Sequence, residues 1–305
     1  MEQKDSVWNI LTPEIVKMIE MCGMFQQNEV EEIRMRKGKP LVIHAGGKKF
    51  FVPEKDKYKI VTEYDIRACV SRCSAYSLYA FEEEVRQGYL TIEGGHRIGF
   101  CGKAVTENGH IKTLQSISSL NIRIAKQIFG CADAVLPYIL DKGRFCHTML
   151  ISPPACGKTT LLRELIRKLS EKGFTIGVAD ERGEISGMYQ GVEQMDLGIS
   201  TDVICGCDKA EGMELLLRSM SPEIIAVDEL GKEADFEAVE QMLHGGVKLL
   251  CTVHGHDFAD LQKRPVLKKI LYADTIERFV FLSAKHGSGT VEYIQDNKGN
   301  VLYQI

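Results

Sequence analysis

The segment 147–163, HTMLISPPACGKTTLLR, constrains the fold of this chain more than any other part of the sequence. The apolar residues near its start predict a short buried strand, and the leucines near its end recur at helical spacing. Small residues and two prolines form a tight turn between them. A strand, a turn of this kind and a helix, in that order, are the setting that a phosphate-binding loop requires.

The turn has the residue types that hold a nucleotide phosphate, because a helix N-terminus offers free N–H groups and a partial positive charge. Gly157 allows close approach of the backbone, Lys158 can reach the β- and γ-phosphates, and the Thr159 hydroxyl can ligate Mg²⁺. The motif departs from GxxxxGK[ST] at Ser152, since serine tolerates a positive φ less well than glycine. The alternative is an ordinary strand–turn–helix in which GKT occurs by chance. The predicted nucleotide-binding residues are Ser152, Pro153, Pro154, Ala155, Cys156, Gly157, Lys158, Thr159 and Thr160.

Two carboxylates follow another apolar strand. The segment 223–227 leads into Asp228 and Glu229, well beyond the loop in the chain. After a phosphate loop, Asp228 is expected to hold a magnesium-bound water, and Glu229 is expected to be the general base that polarises the attacking water. We therefore predict Thr159 and Asp228 as the metal-binding residues.

Two further polar segments follow predicted strands, and ligands bind at the carboxyl ends of the strands in a parallel sheet. The acidic run 180–184 is expected to face the same crevice as the phosphates, although a solvated charged loop is the alternative. In the segment 251–256, Thr252 or His254 could report the state of the γ-phosphate. A satisfied polar histidine is the alternative interpretation there.

The hydrophobic pattern predicts two domains, as the length also suggests. Residues 1–130 show hairpin signals and alternation, which predict an α+β domain. Residues 131–305 alternate strands with helices, which predicts a parallel sheet covered on both faces. We also expect helices over 74–87 and 131–141, and an antiparallel edge formed by the last three strands.

Composition narrows the class of protein. The hydrophobic fraction of 44% and the charged fraction of 26% are ordinary for a globular chain. The formal net charge of -4 excludes a chain that binds nucleic acid through an overall positive charge. The ten cysteines include no CxxC pair, so a metal site is not the favoured interpretation. The N-terminal segment does not resemble a signal peptide, which favours free thiols in a reducing compartment. No apolar run approaches the roughly 18 residues of a membrane span, so work at a membrane would need a partner.

In order, the loop and the segments VADERGEISG, LLLRSMSPEIIAVDELG and LLCTVHGHD resemble the phosphate loop, acidic box, Walker B strand and histidine box of the secretion-type traffic ATPases. Segments such as GGHRIGFCGKAV extend the likeness, towards sporulation members of that family in endospore-forming bacteria. The resemblance implies a RecA-like P-loop ATPase domain with a smaller α+β N-terminal domain, and a hexameric ring that hydrolyses ATP with Mg²⁺.

The resemblance further implies a motor that powers or assembles the export channel between mother cell and forespore. Its partners would be membrane-embedded channel proteins, and it would act from the cytoplasmic side of the mother-cell membrane as a peripheral protein. By matching position, the resemblance assigns catalytic roles to Glu229, Lys158, Glu184 and His254.

One position departs from the family pattern in a way that affects catalysis. Gly231 stands where the traffic ATPases usually have an arginine after the Walker B glutamate. A cation from a neighbouring subunit can stabilise the charge on a transferred phosphoryl group, and Arg97 and Arg123 are candidates for it. Each is otherwise an ordinary surface arginine. The ATP site is therefore expected to lie partly between subunits.

Two other functions use the same loop. A nucleic-acid-linked ring ATPase would thread a strand through its ring, but the basic stretch 263–269 has little aromatic interleaving, so nucleic acid is not the expected partner. A nucleotide-binding scaffold with poor hydrolysis is the other alternative, and the presence of Glu229 argues against it.

Overall fold

The computed structural model describes residues 5–73, 88–107, 109–264, 267–268, 271 and 275–305. The helix expected over 74–87 lies outside these residues. The chain divides into two compact units: unit 1 consists of Met1–Lys126 and Gly187–Gln194, and unit 2 consists of Gln127–Ser186 and Met195–Ile305. Among the described helices, none combines the length and the apolar content needed to cross a bilayer.

Unit 1 combines short helices with an antiparallel sheet. Its helices are α1 (Asp5–Ile10), α2 (Pro13–Met21) and α3 (Glu63–Cys73), with a 3₁₀ turn at Gln27–Glu29. Its strands are β1 (Val30–Arg36), β2 (Val42–Ala45), β3 (Lys48–Phe51), β4 (Pro53–Glu54), β5 (Lys57–Tyr58), β6 (Tyr89–Ile92), β7 (His96–Glu107) and β8 (His110–Arg123). The main sheet has the order β3-β2-β1-β8-β7-β6, and β4 pairs only with β5 within the described residues.

Local sequence explains how unit 1 forms. Strand β1 alternates between buried and more exposed positions, so Ile33 and Met35 face the core while Arg34 lies on the other face. At the start of α3, Thr62 N–H donates to Asp65 Oδ2 at 2.8 Å and Asp65 N–H donates to Thr62 Oγ1 at 3.1 Å. This reciprocal capping box satisfies backbone donors that a helix start would otherwise leave free.

Unit 2 is built on a mixed sheet. Its helices are α4 (Leu136–Ile139), α5 (Lys158–Glu171), α6 (Lys209–Ser219), α7 (Glu233–His244) and α8 (Phe258–Gln262). Its strands are β9 (Leu140–Asp141), β10 (Arg144–Phe145), β11 (Thr148–Ser152), β12 (Ile176–Asp180), β13 (Thr201–Cys205), β14 (Ile224–Val227), β15 (Lys248–His254), β16 (Arg278–Ser283), β17 (Thr290–Asp296) and β18 (Val301–Gln304). The sheet order is β13-β12-β14-β15-β11-β16-β17-β18, and β9 pairs with β10.

The strand order decides where the predicted site residues meet. The strands from β13 to β16 run parallel to one another. Strands β12, β14, β15 and β11 are consecutive neighbours at the centre of the sheet, and each is followed by one of the polar segments named above. Carboxyl ends of parallel strands share one edge, so the phosphate loop, both acidic segments and the histidine segment converge there.

One expectation about unit 2 is confirmed and another needs correction. The last three strands pair antiparallel with one another at one edge of the sheet, as expected. Strand β16 also pairs in parallel with β11, and periodicity alone could not set that direction of pairing. The helix expected over 131–141 is wrong, since only Leu136–Ile139 is helical. Pro137 has no backbone N–H for a bond to the preceding turn, so it fits the first turn of α4 and not the interior of a longer helix.

Candidate functional site

The phosphate loop connects β11 to α5 in unit 2. Gly157 is the N-cap of α5 with a φ of 83°, and within the described chain no side chain caps this helix. Ala155 also has a positive φ, of 59°. In the same loop the Cys156 thiol lies 3.6 Å from Pro154 O. The start of a 14-residue helix therefore presents backbone donors, which is the property that favours a phosphate.

Ser152 does not need the backbone freedom of the glycine it replaces. It is the last residue of β11, is 1% exposed, and does not belong to the positive-φ residues. Its hydroxyl donates to Pro153 O at 2.8 Å and accepts from Lys158 Nζ at 3.3 Å. The departure from the loop motif therefore adds a polar contact for Lys158 and brings no backbone strain.

The Lys158 ammonium is buried in a set of acceptors. It donates to Ser152 O at 3.2 Å and Pro153 O at 3.3 Å, and lies 2.9 Å from His254 Nδ1. An ammonium can only donate, so Nδ1 is the acceptor and the neutral imidazole has its proton on Nε2. Burial lowers the pKa of Lys158, while the nearby carboxylates of Glu229 and Asp228 oppose that shift.

His254 connects the loop lysine to the predicted general base. Its Nε2 lies 2.9 Å from Glu229 Oε1, where the Nε2 proton can be donated to the carboxylate. A continuous path of polar contacts therefore runs from Lys158 through His254 to Glu229. Three residues that the sequence predicted from separate segments meet in one place.

Thr159 and Asp228 form the candidate metal site. The Thr159 hydroxyl donates to Asp228 Oδ2 at 2.9 Å. Because its proton is used in that bond, the oxygen lone pairs of Thr159 remain for a cation, and the Asp228 carboxylate can accept from a water in the cation's shell. Hydroxyl, carboxylate and water oxygens are the ligands that Mg²⁺ prefers, so these residues fit a magnesium ion.

Thr252 joins the Asp228 carboxylate to the main chain of Glu229. Its side chain is fully buried, and its hydroxyl donates to Asp228 Oδ1. The hydroxyl oxygen, Thr252 Oγ1, accepts from the Glu229 N–H at 2.9 Å. Glu229 has a φ of 49°, in the left-handed region. Such a conformation in a non-glycine residue costs on the order of 1–3 kcal/mol and tends to occur at functional sites.

The acidic segment that begins at the end of β12 contains one buried structural carboxylate, Asp180, and two half-buried ones, Glu181 and Glu184. Asp180 is buried and accepts from the backbone N–H groups of Glu184, Ile185 and Ser186 at 2.8–3.2 Å. Arg163 of α5 donates to Glu184 O and Ile185 O, both at 2.8 Å. Asp180 therefore fixes the backbone of this turn. Arg163, in the helix that begins at the phosphate loop, holds the carbonyl oxygen of Glu184.

A cavity of about 130 Å³ lies beside these residues in unit 2. It is lined by Asp180, Glu181, Arg182, Glu184, Lys209, Asp228, Glu229 and Lys232. Sequence reasoning identified the acidic residues in this list but missed Lys209 and Lys232. A lysine at a helix start resembles a solvated surface residue, so no sequence signal distinguished them.

Arg97 and Arg123 belong to unit 1. They are opposite each other in the ladder between β7 and β8. The Arg97 guanidinium lies 3.9 Å from the centre of the Tyr89 ring, and Arg123 Nε lies 3.7 Å from Glu32 Oε2. Both arginines therefore have partners on one face of the same sheet.

Thr160 and Gly231 complete the predicted set. The Thr160 carbonyl oxygen lies 3.9 Å from Cys131 Sγ, and Gly231 N–H donates to Asp235 Oδ2 at 2.9 Å. The Gly231 N–H therefore contributes to the start of α7, at the position where the resemblance leads us to expect an arginine.

Comparison with known proteins decides the family. The family described as "Sporulation stage III, protein AA" matches residues 1–302 of the chain. The chain belongs to this family. It is 42% identical over 280 residues to "Stage III sporulation protein AA" of Bacillus subtilis (strain 168), which covers 90% of this chain and 89% of that protein.

Solved structures show the same fold as this family member. The ATPase DotB of Yersinia pseudotuberculosis has a TM-score of 0.60 at 12% identity, covering 94% of this chain and 80% of that one. The pilus retraction motor PilT, solved with bound ADP, has a TM-score of 0.57 at 16% identity, covering 88% and 76%. These likenesses confirm the predicted fold class, a RecA-like P-loop domain of the secretion-ATPase type.

Proposed function

We propose that this chain is a magnesium-dependent ATPase that acts as the motor of an export channel between mother cell and forespore. The observation that carries the proposal is the contact path from Lys158 through His254 to Glu229. It brings a phosphate-binding cation and a carboxylate base to one sheet edge. The Thr159–Asp228 pair beside it supplies oxygen ligands that suit Mg²⁺.

Each residue has a defined task in this proposal. Backbone N–H groups after Gly157 donate to the phosphates, and the Lys158 ammonium offsets charge on the β- and γ-phosphoryl oxygens. Glu229 orients the attacking water and accepts its proton, and His254 holds the Glu229 carboxylate and senses the γ-phosphate. Thr159 and Asp228 would hold a Mg²⁺ ion, which would supply positive charge to offset the charge on the phosphoryl oxygens.

The acidic segment and a neighbouring subunit complete the proposed site. Glu184 faces the cavity beside Glu229 and acts as a second acidic group there. Arg97 or Arg123 of an adjacent subunit supplies the cation that Gly231 does not provide. This requires a ring of subunits, which we propose to be a hexamer. Membrane-embedded channel proteins would hold the ring at the cytoplasmic face of the mother-cell membrane.

The central test is Glu229→Gln, which keeps the shape of the side chain and removes its basicity. We expect ATP binding within about threefold of wild type and a loss of turnover of at least about 100-fold. Glu237→Gln is a matched control, because Glu237 is an exposed residue of α7 in the same unit. Turnover of Glu229→Gln close to that of the control variant would remove Glu229 from the base role.

A second measurement tests the ring. Sedimentation with and without ATP should show species much larger than the 34.2 kDa chain when nucleotide is present. A monomer under both conditions, at protein concentrations where turnover is measured, would contradict catalysis shared between subunits.

A further inference from the structure

The main chain of Glu229 is held from both sides. Its N–H donates to Thr252 Oγ1 at 2.9 Å, and its carbonyl oxygen accepts from Lys209 Nζ at 2.8 Å. A non-glycine residue stays in the left-handed region only where the surrounding structure fixes it. Lys209 and Thr252 are therefore the two polar side chains that hold this peptide segment in the conformation that aims the Glu229 carboxylate.

Lys209 is itself well fixed. It is the first residue of α6 and is 7% exposed, and its ammonium lies 3.3 Å from Glu181 Oε2. The other oxygen of that carboxylate accepts from Lys232 Nζ at 3.1 Å. Burial raises the pKa of Glu181, but the hydrogen bonds and charges of Lys232 and Lys209 hold it below its ordinary value. An ionised Glu181 keeps the Lys209 ammonium directed at the Glu229 carbonyl.

We propose that Lys209 is a positioning residue for ATP hydrolysis, acting through the backbone carbonyl of Glu229. The inference rests on the proposed function of Glu229. Without the Lys209 contact, the backbone at Glu229 can relax out of the left-handed region and carry the carboxylate away from His254, which lies 2.9 Å from it. Displacement of a catalytic group by about 1 Å can cost on the order of 100-fold in rate.

The test compares Lys209→Met with Lys232→Met in the full-length chain. Methionine keeps the length and apolar stem of lysine and removes the ammonium. Lys232 is the matched control because it contacts the same Glu181 carboxylate, together with Asp208 at 2.7 Å. Lys232→Met removes an equal positive charge from beside the Glu181 carboxylate and leaves the Lys209 contact with Glu229 in place.

We expect Lys209→Met to lower kcat about 10- to 100-fold with KM for ATP within about threefold of wild type. Lys232→Met should lower kcat by less than about threefold. Lys209→Arg should restore part of the lost kcat, because a guanidinium N–H can still donate to the carbonyl. A purely structural defect would lower nucleotide binding and kcat together, and arginine at this buried position would not correct it.

The outcomes separate this inference from the proposed function. If wild type does not hydrolyse ATP, or Glu229→Gln turns over normally, the proposed function fails first. If both behave as expected and Lys209→Met has the kcat of Lys232→Met, Lys209 is not a positioning residue. A Lys209→Met variant that loses ATP affinity at unchanged kcat overturns the inference as well.

Discussion

Replacing Thr252 by valine tests how much the hydroxyl that joins Asp228 and Glu229 contributes. Valine has nearly the same shape, so it opens no cavity, but it removes one hydrogen bond from a backbone N–H and one to a carboxylate. A neutral hydrogen bond is worth about 1 kcal/mol and one to a charged group about 1.5–3 kcal/mol. Thr252 is fully buried, but Asp228 lines the cavity, where water can replace part of its lost hydrogen bond. We therefore expect Thr252→Val to lower the free energy of unfolding by about 2 kcal/mol, somewhat less than the sum of the two bonds.

The assay must report on unit 2. The only tryptophan of the chain, Trp8, lies in unit 1, so tryptophan fluorescence does not suffice. Hydrogen exchange of peptides from β14 and β15, measured across a urea series, follows the strands concerned. Thr252→Ser is the matched variant: it keeps the hydroxyl and loses one methyl group, at a cost of about 1 kcal/mol. If Thr252→Val is no less stable than Thr252→Ser, the hydroxyl does not hold the Asp228 carboxylate and the Glu229 N–H.

Three further predictions concern other parts of unit 2. Burial lowers the pKa of His147 to about 4, and its Nδ1 accepts from Leu249 N–H at 3.1 Å. The unfolded state therefore binds a proton more readily, and the free energy of unfolding falls as the pH drops through about 6.5. Urea unfolding should show a value about 1 kcal/mol lower at pH 5.5 than at pH 7.5, and His147→Gln should abolish this difference. Gly157→Ala should weaken ATP binding at least about tenfold by nucleotide titration, because φ is 83° and the added Cβ would lie 2.8 Å from Gly289 N. Ser152→Gly restores the usual loop glycine, yet calorimetry should show lower stability, by about 1 kcal/mol, and no gain in ATP affinity.

Much of the fold follows from local pattern. The strand at Ile224–Val227 and the strand–loop–helix around Lys158 follow from apolar runs, helical spacing and small turn residues, all of which act over a few positions. Strand β13 was not predicted, because each of its residues, Thr201–Cys205, is only partly buried and the hydrophobic signal is weak. The parallel pairing of β16 depends on which strand lies beside it, and that is a property of the whole sheet.

The site residues also fall into those that a local pattern predicts and those that only the tertiary structure reveals. Lys158, Asp228 and Glu229 were predicted because each side chain itself has the required chemistry. Lys209 and Arg163 were not, because they act on carbonyl oxygens of residues distant in sequence. Such a contact depends on tertiary structure, and a lysine or arginine on a helix gives no sign of it beforehand.

The two acidic positions of the site share one design. At Glu184 the backbone N–H donates to the buried Asp180 carboxylate while Arg163 donates to the carbonyl. At Glu229 a buried hydroxyl accepts from the N–H and Lys209 donates to the carbonyl. Holding the N–H and the carbonyl of one residue fixes the direction of its side chain through the backbone, without using the carboxylate for that purpose. Because the holding groups are buried and charged or hydrogen-bonded, removing one leaves an unpaired polar atom, and the geometry of the acid is lost together with local stability.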